Sequence, residues 1–194
     1  MILGITGPSG AGKGTVSRML AAHGFRHIDT DITAREVVPD TLSALVEKFG
    51  NIVDSNGQLD RAALAKKAFS SEENTKALNR IMHGAIMDRV RKIINEDVKK
   101  GNHNFVIDGA ALFEARGNEI CDYTIAVLCD EKTRLSRIIT RDGISKERAE
   151  ERFSRQLTDS FFRKNADFVI VNRDLADTKK QLYNILNIIY GGKK

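Results

Sequence analysis

A glycine-rich segment near the start of the chain has the residue types and spacing of a phosphate-binding loop. The segment Gly7-Pro8-Ser9-Gly10-Ala11-Gly12-Lys13-Gly14-Thr15 follows the pattern G-x-x-x-x-G-K, with Gly14 where serine or threonine is usual. Glycines let the backbone turn so that successive N–H groups face phosphate oxygens, and a following helix adds the positive end of its dipole. In this pattern Lys13 reaches the β- and γ-phosphates of a nucleotide. The candidate nucleotide ligands are Gly10, Ala11, Gly12, Lys13, Gly14 and Thr15.

Thr15 carries the hydroxyl nearest to this loop, and it is the candidate ligand of Mg²⁺, directly or through a water molecule. A predicted strand at residues 2–6 precedes the loop, and a helical pattern follows at residues 13–22. A chance glycine-rich turn is therefore the weaker interpretation, and the segment predicts binding of ATP with Mg²⁺. The string GPSGAGKGT is similar to the loop of cytidylate kinases, and the GKGT variant also occurs in adenylate kinases.

Carboxylates follow two further apolar segments of the chain. Asp29 and Asp31 lie at the end of a predicted strand, residues 25–29, and Asp108 follows a second one, residues 105–107. Because parallel strands end at one edge of a sheet, we expect these side chains near the phosphates. A carboxylate there can accept the proton of an attacking hydroxyl or bind Mg²⁺ through water. The alternative is a helix N-cap for Asp31 and a turn or cap residue for Asp108.

Arginines recur on one face of a predicted helix at residues 131–141. Arg134, Arg137 and Arg141 are spaced by three and four residues. A second set, Arg148, Arg152 and Arg155, follows after Gly143 on a single helix predicted at residues 146–158. Such a pair of helices can close as a lid over ATP and stabilise the transferring phosphoryl group. We expect Arg137 and Arg141 to act in this way, with a lid at about residues 137–165. The alternative is an exposed charged face.

Apolar strands that alternate with helices predict an α/β fold. Predicted strands at residues 2–6, 25–29, 105–107, 123–129 and 168–171 imply a parallel sheet covered on both faces. We expect a three-layer P-loop kinase fold with a central parallel five-stranded sheet, formed by residues 1–31 and 104–194. Helical patterns fill residues 32–103, including a long one at residues 72–98, and predict a helical insertion on that core.

The composition excludes several function classes. With 41% hydrophobic and 29% charged residues, the 194-residue chain can form a packed core. The net charge of +5 is spread along the chain, aromatic residues make up only 6% and tryptophan is absent, so we expect no nucleic-acid partner. No stretch has transmembrane length, and Cys121 and Cys129 form no C-x-x-C pair. We expect a cytoplasmic protein with reduced thiols and no membrane partner, either a monomer or a small homo-oligomer.

Several strings, in the same order along the chain, together resemble one family, the dephospho-CoA kinases. They are the phosphate loop, IDTDITAREVV (28–38), FGNIVDSNGQLDRAALAKKAF (49–69), LNRIMHGAI (78–86), VIDGAALFEA (106–115), RIITRDGISKERAEERFSRQ (137–156) and ADFVIVN (166–172). The pattern F-G-x₆-G-x-L-D-R-x-x-L is especially specific, because phosphate-loop chemistry does not require it.

The resemblance implies ATP-dependent phosphorylation of the ribose 3′-hydroxyl of dephospho-CoA. It makes Asp31 the candidate general base, and Lys13 and Arg141 the groups that stabilise the transferring phosphoryl group. It implies that Arg35 meets a substrate phosphate. The helical insertion would then bind the coenzyme, with His83 at its mouth and Asp108 as a further acceptor-binding residue.

Three departures from the family pattern bear on the acceptor. The chain has Gly14 where the family usually has serine or threonine, Gly84 where it has proline, and Gly109-Ala110 in place of the bulkier x-P of D-x-P-L-L-F-E. Gly84 lacks the fixed φ of proline. The alternatives are therefore a divergent paralog with another small-molecule acceptor, a nucleoside monophosphate kinase resembling cytidylate kinase, and a P-loop protein without catalysis.

Overall fold

In a computed structural model that describes residues 1–191, five strands form one parallel sheet. The strands are β1 (Ile2–Thr6), β2 (Arg26–Asp29), β3 (Phe105–Asp108), β4 (Tyr123–Leu128) and β5 (Phe168–Val171). Their order in the sheet is β2-β3-β1-β4-β5, which places the first strand at the centre. The register pairs Leu3 with Val106 on one side and with Tyr123 on the other. This arrangement confirms the predicted α/β fold with a five-stranded parallel sheet.

Helices lie between these strands along the chain and after the last of them. They are α1 (Lys13–Ala22), α2 (Thr30–Glu36), α3 (Val38–Phe49), α4 (Arg61–Ala68), α5 (Glu72–Val98), α6 (Glu131–Asp142), α7 (Lys146–Ser154), α8 (Asp159–Asn165) and α9 (Leu175–Gly191). The single helix predicted at residues 146–158 is wrong. The helix α7 ends at Ser154. The Thr158 hydroxyl accepts a hydrogen bond from the Phe161 N–H and so caps the start of a separate helix, α8. Within residues 1–191, no helix has the length and apolar character needed to cross a membrane.

Alternate residues of the strands pack on opposite faces of the sheet, as the period of two requires. On one face Ile5 and Val127 join a buried cluster with residues of α1 and α9, among them Val16, Leu20, Leu182 and Ile185. On the other face Ala126 and Leu128 pack against Phe162 of α8. Helices therefore cover both faces, and the sheet is the middle of three layers. The buried core also holds in place the ends of the strands, where the polar candidate residues lie.

The chain divides into two compact units, residues 1–28 with 102–191 and residues 29–101, here called the sheet unit and the helical unit. The helical unit has a core of its own, in which Leu45, Phe49, Ile52, Leu64 and Ala68 are buried. The predicted boundaries of the insertion, at residues 32 and 103, lie within three residues of this division. The predicted roles of the insertion and of the lid stay predictions.

The specific string at residues 49–69 builds the turn that begins α4. Val53 and Leu59 form an isolated antiparallel bridge around a turn in which the Asp54 carboxylate accepts N–H bonds from Asn56 and Gln58. Asp60 then caps α4 by accepting from the N–H groups of Ala62 and Ala63 at 2.9 and 3.0 Å. These residues therefore have a structural role, because they close one turn and begin one helix.

Candidate active site

The phosphate loop connects the central strand β1 to α1, and its glycines before α1, namely Gly7, Gly10 and Gly12, adopt backbone angles that other residues rarely reach. Gly7 has φ +132° and Gly12 has φ +104°. A Cβ atom added to Gly7 would lie 2.2 Å from the Val127 carbonyl oxygen, so no larger residue fits beside β4. The sequence therefore needs glycine at these positions to turn the chain between a buried strand and a helix.

Lys13 is the first residue of α1, and its side chain turns back over the loop. Its Nζ donates to the carbonyl oxygens of Gly7 at 2.9 Å and of Pro8 at 3.3 Å. Gly12, the N-cap, has no side chain to cap the helix, so the positive end of the helix is available to an anion. An ammonium group and a helix N-terminus at one loop form the arrangement that binds a polyphosphate.

Asp108 ends β3 beside the strand that leads into the loop. The register pairs Asp108 with Ile5, two residues before Gly7. The Asp108 Oδ2 atom lies 3.6 Å from Nε2 of His27, a residue of β2, and the two side chains are 12% and 29% exposed. Asp108 is the last residue of β3, and a turn follows at residues 110–116, so the turn alternative stays open. The sequence did not single out His27, because a lone histidine on a short strand carries no recognisable pattern.

The oxygen donors near the loop fit a magnesium ion that is bound mainly by phosphates. Thr15 presents a hydroxyl in the first turn of α1, which accepts from Arg18 Nη2 at 3.4 Å, and Asp108 presents a carboxylate. Within residues 1–191, no group of three or more His, Cys, Asp and Glu side chains could hold a metal ion. Mg²⁺ commonly takes one or two protein oxygens and completes its shell with substrate phosphates and water. The chemistry of these two donors suits the ion, and their part in holding it stays a prediction.

The predicted arginines have different surroundings. Arg137 Nη1 donates to the Gly10 carbonyl at 3.1 Å and contacts the Cys129 sulfur at 3.8 Å, so it lies on the phosphate loop. Arg134 instead packs its guanidinium 4.8 Å over the Phe153 ring, with a side chain only 11% exposed. Arg134 therefore holds α6 against α7, whereas Arg137 is in place to meet a nucleotide.

Arg141 lies at the end of α6 and forms a two-point ion pair with the adjacent Asp142, at 2.7 and 3.0 Å. Arg152 of α7 donates to the same carboxylate at 2.8 Å. The hydrogen bond from Arg141, followed by the charges of both arginines, holds the pKa of Asp142 below its usual range. Asp142 thus links the two helices of the predicted lid through their cations.

In the helical unit, Asp29 rather than Asp31 caps α2. The Asp29 carboxylate accepts from the N–H groups of Asp31 and Ile32 at 2.8 and 3.3 Å. The capping alternative for Asp31 is therefore wrong, and its exposed carboxylate belongs to the first turn of the helix. The helix already begins at Thr30, so Asp31 is helical and does not continue the strand β2.

Asp31 and Arg35 line a cavity of about 360 Å³ within the helical unit. The other lining residues are Ala34, Val38, Leu59, Arg61, Leu64, Ala65, Phe69, Leu78 and Met82. An apolar wall with two guanidinium groups and one carboxylate suits an organic ligand that carries phosphate. His83 is half-buried in α5, and its place at the mouth of the acceptor site stays a prediction.

Two carboxamides that hold the phosphate loop, Gln156 and Asn172, were not predicted. Gln156 bonds to Ser9, and Asn172 bonds to Ala11. Both residues stand inside strings that carry the family resemblance, at residues 137–156 and 166–172, and this was the only signal for them. Their contacts join segments more than 140 residues apart, which spacing along the chain cannot reveal.

The family model and the curated relatives described here agree on one family. A family model described as dephospho-CoA kinase matches residues 1–177. The dephospho-CoA kinase of Carboxydothermus hydrogenoformans is 36% identical over 190 residues, which cover 95% of this chain and 92% of that protein. The solved structure of TT1252 from Thermus thermophilus has a TM-score of 0.80 at 28% identity, covering 100% of this chain and 98% of that one. The dephospho-CoA kinase from Campylobacter jejuni, with a TM-score of 0.69 at 24% identity and the same coverage, shares the fold.

Proposed function

The chain belongs to the dephospho-CoA kinase family, a family of transferases that phosphorylate dephospho-CoA to give CoA, and we propose a role for each of its site residues in this reaction. The donor is ATP and the acceptor is the ribose 3′-hydroxyl of dephospho-CoA. The observation that carries the proposal is the glycine loop with Lys13 folded over it at the start of α1.

The phosphate loop is proposed to bind the triphosphate of ATP. The N–H groups from Gly10 to Thr15 supply donors, and Lys13 Nζ exchanges the Gly7 and Pro8 carbonyls for phosphate oxygens. Arg137, already at the loop, and Arg141 add positive charge at the transferring group. Charge that develops on the γ-phosphate is thereby stabilised more than charge in the ground state, which lowers the barrier.

A magnesium ion is proposed to be held through Thr15 and Asp108 together with the phosphates. When bound, it neutralises charge on the β- and γ-oxygens. The Thr15 hydroxyl contributes directly or through water, and the Asp108 carboxylate supplies the negative charge that attracts the ion. The chain's own part is to hold these two oxygens in the first turn of α1 and at the end of β3, the strand beside β1.

The cavity of the helical unit is proposed to bind the acceptor. Arg35 and Arg61 suit its phosphates as bidentate donors, and the apolar wall suits the pantetheine arm. Asp31 accepts the proton of the 3′-hydroxyl as the oxygen attacks the γ-phosphorus. One P–O bond forms to the acceptor, the bond to the β-phosphate oxygen breaks, and ADP leaves with the electron pair.

A substrate panel tests the acceptor. Purified protein with ATP and Mg²⁺ is given dephospho-CoA, CMP, AMP or a pantetheine derivative, and ADP release is measured. We expect turnover with dephospho-CoA and a product whose new phosphate is on the 3′-oxygen, as phosphorus NMR can show. Turnover of CMP without turnover of dephospho-CoA would instead support the nucleoside monophosphate kinase alternative.

A further inference from the structure

Side chains from outside the phosphate loop hold three consecutive residues of it. Gln156 Oε1 accepts from the Ser9 N–H at 3.0 Å, and Gln156 Nε2 donates to the Ser9 hydroxyl at 2.6 Å. Arg137 donates to the next carbonyl, that of Gly10, at 3.1 Å. Asn172 Nδ2 donates to the carbonyl after that, of Ala11, at 2.7 Å. The loop conformation is therefore set by side chains outside the loop as well as by its glycines.

Asn172 is itself fixed in place. Its own N–H donates to the Leu128 carbonyl at 2.7 Å, and its Oδ1 accepts from the Thr178 hydroxyl at 2.9 Å. The residue is only 7% exposed, and Thr178 is fully buried. A Cβ atom added to Gly12 would lie 2.0 Å from Asn172 Nδ2, so the carboxamide lies directly against the backbone of the loop. The side chain of Asn172 is thus held in one orientation, and the backbone of the loop packs against it.

The geometry of the peptide bond connects the contact made by Asn172 on one side of the loop to the direction of an N–H group on the other side. In a trans peptide, the carbonyl of one residue and the N–H of the next point in opposite directions. When Asn172 holds the Ala11 carbonyl, the Gly12 N–H must therefore point to the opposite side of the chain. A loop whose N–H groups are already oriented loses less conformational entropy when it binds an anion.

Gln156 connects the loop to the arginine-rich helices. It lies two residues after Ser154, where α7 ends, and its two bonds reach Ser9, 147 residues earlier in the chain. The donor and the acceptor of the carboxamide are both used on one residue, so the side chain cannot rotate without breaking both bonds. The segment that follows α7 is thereby anchored to the first turn of the phosphate loop.

We propose that Gln156 and Asn172 are positioning residues for ATP, which hold the phosphate loop in the conformation that binds the nucleotide. The inference rests on the proposed function, because it takes the loop as the site of the triphosphate. Neither residue needs to touch ATP. Their effect is on the affinity for the donor and leaves the affinity for dephospho-CoA and the chemical step nearly unchanged.

Gln156→Leu tests the proposal, because leucine has a similar volume and can form neither bond. We expect the KM for ATP to rise about 5- to 30-fold, the range for two lost hydrogen bonds that preorganise a site. We expect kcat to stay within about threefold, since the groups that act on the γ-phosphate remain. The KM for dephospho-CoA should not change. Calorimetric titration with ATP should show the same loss of affinity.

Gln181→Leu is the matched control. Gln181 forms a reciprocal pair of the same kind, accepting from the Val171 N–H at 2.9 Å and donating to its carbonyl at 3.0 Å, and is also half-buried. Its Nε2 donates in addition to Asp177 at 2.8 Å. Loss of these bonds should lower Tm as Gln156→Leu does, without raising the KM for ATP. If both variants lose stability and neither changes that KM, Gln156 is only structural and the proposal is wrong.

Thr178→Val examines Asn172 without removing it. Valine has the shape of threonine but cannot donate to Asn172 Oδ1, so the carboxamide loses the bond that fixes its orientation. We expect a rise of about 2- to 5-fold in the KM for ATP, as for one lost bond.

A fall in the KM for ATP in Gln156→Leu would show that Gln156 competes with ATP for the Ser9 N–H and would overturn the proposal. Failure of the proposed function would appear differently, as wild-type protein that does not bind ATP.

Discussion

At the scale of single residues, Asp31 is the side chain on which the proposed proton transfer depends. Its neighbour Asp29 caps α2, so Asp31 is not needed to begin the helix. Asparagine at position 31 keeps the shape of the side chain and removes its ability to take a proton. We therefore expect Asp31→Asn to lower kcat by about 10²- to 10⁴-fold while ATP binding, measured by calorimetry, is retained.

Asp29→Asn provides the control for this prediction. Asparagine is an N-cap almost as good as aspartate, so α2 should form in both variants and their circular dichroism should match that of wild type. If Asp31→Asn turned over dephospho-CoA at the wild-type rate, Asp31 would have no part in the proton transfer. A large loss in Asp29→Asn alone would transfer the role of base to Asp29.

At the scale of elements, the start of α4 shows how one residue of a family string supports a helix. Asp60 binds two N–H groups that the first turn would otherwise leave unpaired within the helix. We expect Asp60→Ala to lower the free energy of unfolding by about 1 kcal/mol, the usual cost of a lost N-cap. Urea unfolding followed by circular dichroism measures this loss. Asp60→Ser restores a capping oxygen and should recover most of the stability.

The link between α6 and α7 predicts a pH dependence. Arg141 and Arg152 hold the pKa of Asp142 below its usual range, so the charged form is favoured in the folded state. The stability that this carboxylate contributes is then present above the unfolded pKa of about 4 and is lost as pH falls through the lower folded value. Asp142→Asn should therefore be less stable than wild type at pH 6, and the difference should shrink towards pH 3 in urea unfolding experiments. An equal difference at both values would contradict the prediction.

At the scale of the whole molecule, the sequence predicted what depends on local pattern. Alternating apolar strands and the glycine loop were sufficient for the sheet, and the helices at residues 13–22 and 72–98 have the predicted bounds. The break before α8 was missed, because the helical pattern does not show that Thr158 acts as an N-cap and begins a new helix. Gln156 and Asn172 were missed as site residues for another reason. Their partners are set by tertiary folding, and a carboxamide has no preferred spacing that would reveal them.

The charge of the whole chain leads to the last prediction, on the dependence of the reaction on salt. Both substrates are polyanions, and the protein carries a net charge of +5. Long-range attraction then raises the rate at which the substrates are captured, and added salt screens it over about 8 Å at physiological ionic strength. Between about 20 and 300 mM KCl, we expect kcat/KM for ATP and for dephospho-CoA to fall about 3- to 10-fold.

Over this range kcat should change little, because contacts within the bound complex are screened much less than long-range attraction. Sucrose at matched osmolality is the control, since it alters water activity without screening charge. A decline in kcat with constant KM would place the effect of salt on the bound complex instead of on capture. Constant kcat/KM across the series would mean that the positive charge lies away from the paths by which the substrates arrive.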